Sequence, residues 1–280
     1  MTWRTWLKLG RVSNLPTVWS NGLAGWALSG AAIDAGALAL LLIALSLFYV
    51  AGMYLNDAFD ARVDARERAE RPIPMGEVGR GTVLALGFAM LALGALIAFA
   101  LGTRAGLAGV ALAGTVVLYD WLHKRTALGP VIMGACRLLS YVTAAFAAGG
   151  TTGALWVGAG GLFCHVVGLT YAARQEAYDR IGAVWPLAVM ALPVVIGGMM
   201  LEGAVGVALL AAYAIWSGWA LSLLFRRRPG DVPRAVVSLI AAVSLYDAVM
   251  IVGAGGGWLA LPAVAAFAAT LALQRLVPGT

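Results

Sequence analysis

An all-α membrane protein that crosses the bilayer many times is the fold class this sequence predicts, on three observations. Of its 280 residues, 62% are hydrophobic and only 11% charged, and the mean hydropathy is +0.89. A soluble domain of this length needs far more polar surface than that. Apolar runs of near-spanning length recur along the whole chain, each matched to about 30 Å of hydrocarbon. The alternating polar and apolar residues of a transmembrane barrel do not occur.

The chain opens with "MTWRTWLKLGRVSNLPTVWSNGLAGWALSG", which lacks a clear small-residue cleavage site. A short interfacial segment is expected there. Trp3 and Trp6 would sit at headgroup level, with Arg4, Lys8 and Arg11 snorkelling beside them. Spans are expected near 14–31, 36–56, 80–101, 104–121, 130–150, 153–174, 184–201, 203–225, 233–252 and 257–275. Small-residue pairs such as Gly22/Gly25 and Gly87/Gly94 suit close helix approach in lipid.

Charge sets the expected orientation. Apart from Arg104, Arg137 and Arg275, every one of the 19 Lys and Arg residues lies at the N-terminus or beside a loop that follows an even-numbered span. The positive-inside rule then puts the N-terminus and those loops in the cytoplasm, in a cell inner membrane. The net charge of +6 has its explanation here, so nucleic acid is not implied. Every loop with unusual chemistry follows an even-numbered span, which points to a central cavity open to the cytoplasmic side.

One of these loops begins "YLNDAFDARVDARERAERPIPMGEVGR". Asp57, Asp60 and Asp64 fall at i, i+3 and i+7, so a continuing helix places them on one face, with Asn56 beside them. Carboxylates so spaced repel one another, and they gain most from a shared cation. Oxygen-only ligation suits Mg²⁺, which bridges carboxylates to phosphates. The cluster alone is equally compatible with a solvated helix end, its acids paired with Arg62 and Arg66. "ERPIPMG" favours the cation site, because Arg71 is a bidentate anion binder set before a proline-stiffened turn.

A second constellation, "LYDWLHKRTALGPVIMGACRLLSY", crowds Tyr119, Asp120, His123 and Lys124 at the end of the fourth span. Lys124 could neutralise a diphosphate and Tyr119 could present a ring, while an interfacial belt also uses these residue types. Arg137, about seven residues into the next span, calls for a partner or a wet cavity. A third, "HVVGLTYAARQEAYDRIG", carries Tyr171, Gln175, Glu176, Tyr178 and Asp179, a second acid pair at a span end. His165 fits a hydrogen-bonded packing role, and Asp247 is an intramembrane acid with no sequence neighbour to explain it. Cys136 and Cys164 suit apolar packing and form no CxxC. HExxH, Walker A, GxSxG and a dinucleotide fingerprint in a credible setting are all absent. Two His and two Cys make haem or zinc a poor fit.

On these residues the chain resembles the UbiA superfamily of intramembrane prenyltransferases. "NDAFDARVD" matches its NDxxDxxxD motif, "ERPIPMG" its RP(I/L)xxG continuation and "RVSNLPT" its N-terminal substrate-facing segment. "LGPVIMGACRLLSY" and "LTYAARQEAYD" are similar to the EboC-like branch. The resemblance implies a single transmembrane domain over 1–280, with nine helices around a central cavity. With the ten runs read above, the expectation is about nine to ten transmembrane helices. It also implies a Mg²⁺-dependent transferase that moves an isoprenyl group from an isoprenoid diphosphate to a lipophilic, aromatic acceptor, and no protein partner. Asn56, Asp57, Asp60 and Asp64 would hold one Mg²⁺, and Glu176 and Asp179 a second. Arg71, Lys124 and Arg137 would bind the diphosphate, with Asp57, Asp60, Lys124 and Asp179 as the catalytic set. Asn14, Asn21, Tyr119, Tyr171, Gln175 and Tyr178 would contact substrate.

The departure is at the second motif, where typical members carry DxxxD or DxxDxxxD and this chain has Gln175, Glu176 and Asp179. A terpene cyclase of the same family, or a non-catalytic carrier or accessory protein for an isoprenoid or lipid diphosphate, are the alternatives this leaves. A transporter built on Arg137, His165 and Asp247 would leave the first motif's spacing a coincidence.

Overall fold

A computed structural model describes residues 2–174 and 185–277. Its helices are α1 (Trp3–Leu9), α2 (Leu15–Leu28), α3 (Ala35–Glu67), α4 (Arg80–Ala100), α5 (Thr103–Leu122) and α6 (Gly129–Ala147). They continue as α7 (Gly153–Arg174), α8 (Trp185–Ala188), α9 (Leu192–Met199), α10 (Gly203–Arg226), α11 (Asp231–Gly253) and α12 (Ala260–Gln274). No strand occurs among the described residues. Eight helical segments among them are long and apolar enough to cross a membrane. Two expected spans come out shorter: α2 has 14 residues, and 184–201 is broken into α8, a 3₁₀ turn and α9. Pro193, in the first turn of α9, lacks the N–H that would continue the ladder through that turn.

The largest difference from expectation is α3, which runs for 33 residues where 36–56 had been expected. Asp34 caps its start, accepting from the backbone N–H of Gly36 at 2.9 Å and Ala37 at 3.0 Å. The helix then carries on through the acid motif and stops at Arg68, shortly before Pro72. The charged segment is therefore a helical extension and not a loop.

Most of α11 is buried inside the bundle, where it packs on α2, α7, α10 and α12. One apolar cluster joins α2, α6, α7, α10, α11 and α12, and a second joins α2, α3, α4, α5 and α6. α2 belongs to both, and its approach to α6 depends on Gly25. A Cβ at that position would lie 2.6 Å from the Tyr141 carbonyl oxygen and 2.7 Å from the Ala144 Cβ. Gly22 and Gly87 are likewise pressed against Leu42 and Leu55, as small residues at intramembrane interfaces should be. At the N-terminus Trp3 is exposed, while Leu9 is fully buried in the cluster of Tyr54, Ala58, Val78 and Val83.

Candidate active site

The acid face predicted from spacing is present. Asp57, Asp60 and Asp64 are all buried on α3, and so is Asn56. Burial of three carboxylates is costly unless each finds a cation, and each does. Arg71 Nη1 lies 2.9 Å from Asp57 Oδ1 and 2.9 Å from Asp64 Oδ2. The chain after α3 folds tightly to put it there. Met75 N–H donates to Arg71 C=O at 3.0 Å, and Gly76 takes a φ of 73°, a conformation that favours glycine. Glu77, in the same turn, accepts from Thr5 Oγ1 of α1 at 2.7 Å.

Two further cations come from distant parts of the chain. Arg11 Nη2 lies 3.1 Å from Asp57 Oδ1 and 3.5 Å from Asn56 Oδ1. Arg11 is one of two described non-glycine residues with positive φ, at 41°. A side chain in that region costs about 1–2 kcal/mol, and the turn is held in part by Tyr49, whose hydroxyl donates to Arg11 C=O at 3.1 Å. Lys124 Nζ sits 2.9 Å from Asp60 Oδ2 and 3.8 Å from Asp64 Oδ1. His123 Nε2 lies 3.2 Å from Asp60 Oδ2, and its ring stacks on Tyr119 at 5.0 Å between centroids.

The end of α5 faces the same place. Asn56 Nδ2 donates to Asp120 Oδ1 at 3.2 Å, while Asp120 Oδ2 is buried with no hydrogen-bond partner. Arg174, at the end of α7, donates to the carbonyls of His123 and, at 2.9 Å, Thr126. The C-terminal ends of α3, α5 and α7 thus meet at one end of the bundle.

From this polar head a cleft descends between α2, α3, α5 and α6. Tyr119 and Asp120 line it together with Tyr49, Met53, Met133, Arg137 and apolar side chains that include Phe48 and Leu112. Arg137, expected among the diphosphate binders, does not pair with the α3 acids. It donates to Asn21 Oδ1 at 2.6 Å and Thr17 Oγ1 at 3.1 Å, with its guanidinium 5.9 Å from the Tyr49 ring centroid. Tyr49 precedes Asp57 by about 12 Å of helix at 1.5 Å per residue, so Arg137 belongs to the middle of the cleft wall.

Asn21 is fully buried, and its amide spans Arg137 and Asp247. Asn21, expected to contact substrate, thus links Arg137 to Asp247. Asn14 accepts from Gln274 of α12. Tyr171 packs against the cluster formed by α7, α10 and α11. Gln175, Glu176, Tyr178 and Asp179 lie outside the described residues. Asp120 and His123, members of the second constellation with no role of their own expected, join the site, and so does Arg11, expected only as an interfacial anchor. For Arg11 the available signal was its place at the head of "RVSNLPT".

Among the described residues no three Asp, Glu, His or Cys groups are gathered as metal ligands. The acids of the expected ligand set are paired with Arg11, Arg71, His123 and Lys124. The donors still fit Mg²⁺: three carboxylates, the Asn56 amide oxygen and the unpartnered Asp120 Oδ2 are oxygen ligands, the kind this ion takes.

A helical membrane protein with an acid-and-base cluster at the head of an apolar cleft is built to hold an amphiphile with a highly charged head. The chain belongs to the UbiA prenyltransferase family, whose sequence model matches residues 14–184. Among its relatives is the digeranylgeranylglyceryl phosphate synthase of Methanothermobacter thermautotrophicus, 39% identical over 93 residues, which are 33% of each chain. That of Ignicoccus hospitalis is 36% identical over 126 residues, 45% of this chain and 41% of the relative. The matched stretches thus cover a third to two fifths of these relatives. A UbiA homolog from Aeropyrum pernix K1 superposes with a TM-score of 0.68 at 20% identity, covering 84% of this chain and 97% of that one. A UbiA homolog from Archaeoglobus fulgidus, solved bound to GPP and Mg²⁺, gives 0.61 at 14% identity over 88% of this chain and 99% of that one. At these identities the superpositions establish the fold.

Proposed function

We propose that this protein transfers an isoprenyl group from an isoprenoid diphosphate to a lipophilic acceptor at a Mg²⁺-requiring site formed by the acid face of α3. One observation carries the reading: buried Asp57, Asp60 and Asp64 are matched by Arg11, Arg71 and Lys124 at the head of an apolar cleft. Such a set is balanced without ligand. It stays close to balance when a divalent cation and a diphosphate enter together, the acids turning to the metal and the bases to the phosphates.

Asn56, Asp57, Asp60 and Asp64 would hold Mg²⁺, with Glu176 and Asp179 as the second half-site. Held by these residues, the ion would supply charge to offset that of the leaving diphosphate. Arg71, Arg11 and Lys124 hold the diphosphate and orient it toward the cleft. The prenyl chain lies along the apolar walls, where water is excluded and the Tyr119 ring can face the developing allylic cation. The acceptor's hydroxyl oxygen then bonds to C1 of the prenyl chain, whose C1–O bond to the diphosphate breaks, and the hydroxyl proton leaves with the released diphosphate. The names of the relatives favour a glyceryl phosphate lipid as acceptor over the aromatic ring expected from resemblance. The distribution of basic residues supports a cytoplasmic position for the N-terminus and the site.

The test uses full-length protein in nanodiscs with geranylgeranyl diphosphate and Mg²⁺. An alkylglyceryl phosphate and an aromatic acid serve as alternative acceptors, with diphosphate release and product mass measured. Metal-dependent release with a prenylated glyceryl phosphate product is expected. A cyclic hydrocarbon from donor alone would mark a cyclase, and tight donor binding with no release would mark a carrier. Either result sinks the proposal.

A further inference from the structure

Asp247 is fully buried on α11, and side chains of two other helices hold it. Tyr141 Oη donates to Oδ1 at 2.6 Å, and Ser20 Oγ to Oδ2 at 2.5 Å. Asn21 Nδ2 approaches Oδ2 at 2.8 Å and Oδ1 at 3.1 Å. An amide with its NH₂ on a carboxylate must turn its oxygen the other way, and Asn21 Oδ1 meets Arg137 Nη1 at 2.6 Å. The orientation of Arg137 is thus imposed from α11 through α2.

What this does to the guanidinium follows from its five N–H directions. Nη1 is engaged by Asn21 Oδ1 and by Thr17 C=O at 3.5 Å, and one Nη2 hydrogen by Thr17 Oγ1 at 3.1 Å. These contacts use the end of the fork. The side edge, Nε–H with the second Nη2 hydrogen, meets no acceptor among the described residues, and Arg137 lines the cleft. That edge is one that grips a carboxylate or phosphate through two parallel bonds. A cation in an apolar cleft would repel a developing allylic cation, and the Asp247 carboxylate one residue behind it offsets that field.

The geometry points to Asp247 and Asn21 as positioning residues that hold Arg137 as the anchor for an anionic head group on the acceptor. This rests on the prenyl-transfer reading and adds to it the residues that would hold the phosphate of a glyceryl phosphate acceptor. The donor's diphosphate has its own cations at the head of the cleft, roughly 12 Å away along α3.

The test compares binding of a monoalkylglyceryl phosphate with that of the same ether lacking phosphate, to full-length protein in phosphatidylcholine nanodiscs. Wild-type protein is expected to prefer the phosphate by about tenfold or more, the usual scale for charge-assisted hydrogen bonds. In Asp247→Asn and in Arg137→Lys the preference should fall to about twofold, and the double variant should lose no more than Arg137→Lys alone. Arg137→Lys leaves α11 untouched, so it answers the question even where Asp247→Asn fails to fold. Equal binding of both ethers by wild-type protein, or an undiminished preference in the variants, would overturn the inference. Displacement of the phosphate ether by equimolar inorganic phosphate would overturn it too, because the site would then read a free anion. Geranylgeranyl diphosphate binding is followed in parallel. It should persist in every variant, and its absence in wild-type protein would count against the prenyl-transfer reading itself.

Discussion

Lys124 Nζ lies 2.9 Å from Asp60 Oδ2, so the turn after α5 closes over the acid face of α3. Acid and base come from different helices, and the pair exists only when α3 and α5 are packed in register. Asp60 also faces His123 Nε2 at 3.2 Å. On the function proposed above, Asp60 is the acid shared between the metal site and the bases that would hold the diphosphate.

Neutralising that face should stop the chemistry and leave the fold intact. Asp57→Asn and Asp60→Asn are each expected to reduce Mg²⁺-dependent diphosphate release by about a hundredfold or more. Size-exclusion profiles should stay unchanged. Wild-type release by both variants would refute the assignment of the α3 face.

Arg71 bridges Asp57 and Asp64 through one nitrogen. Arg71→Ala leaves two buried acids short of a counter-charge, and a loss of about 3 kcal/mol in unfolding free energy is expected. Arg71→Lys keeps the charge but loses the planar fork. It should raise the KM for donor about tenfold with little change in stability, as steady-state kinetics beside a denaturation curve will show.

Metal removal has a signed prediction. Since Arg11, Arg71 and Lys124 already neutralise the acids, EDTA should leave the Tm of ligand-free protein unchanged. Mg²⁺ and donor added together should raise Tm, because they bind only the folded state. A large fall in Tm on chelation alone would mean that the metal is structural.

The contact between α2 and α6 is tested at Gly25, where a Cβ would reach within 2.6 Å of the Tyr141 carbonyl oxygen. Gly25→Val should cost about 3 kcal/mol, and it should also disturb Tyr141 and the Asp247 cluster beyond it. Gly114, with open space around it, provides the control: Gly114→Ala should be neutral or slightly stabilising.

Much of the fold and half of the site were legible beforehand for one reason: they depend on residues close together in the chain. Apolar runs of spanning length define helices wherever those helices end up packing. The i, i+3, i+7 spacing of Asp57, Asp60 and Asp64 defines a face of a single helix, and Arg71 is tied to that face through a short turn. The basic residues of separate loops share a side because span parity is a property of the chain.

Tertiary structure alone decided the rest. Arg11 reaches Asp57 through a left-handed turn that no periodicity signals. Asp120 finds Asn56 because α5 packs beside α3 in one register. Arg137, Asn21 and Asp247 make sense only as a set, and they come from α6, α2 and α11. Their meeting is fixed by how closely those helices approach, at places such as Gly25. Hydrophobic patterning records which face of a helix is buried; it does not record which neighbour that face will meet or at what height. Composition and spacing specify an intramembrane helical bundle with an acid face at one end of α3. Packing decided which cations hold that face and which remote acid is linked to Arg137 through Asn21.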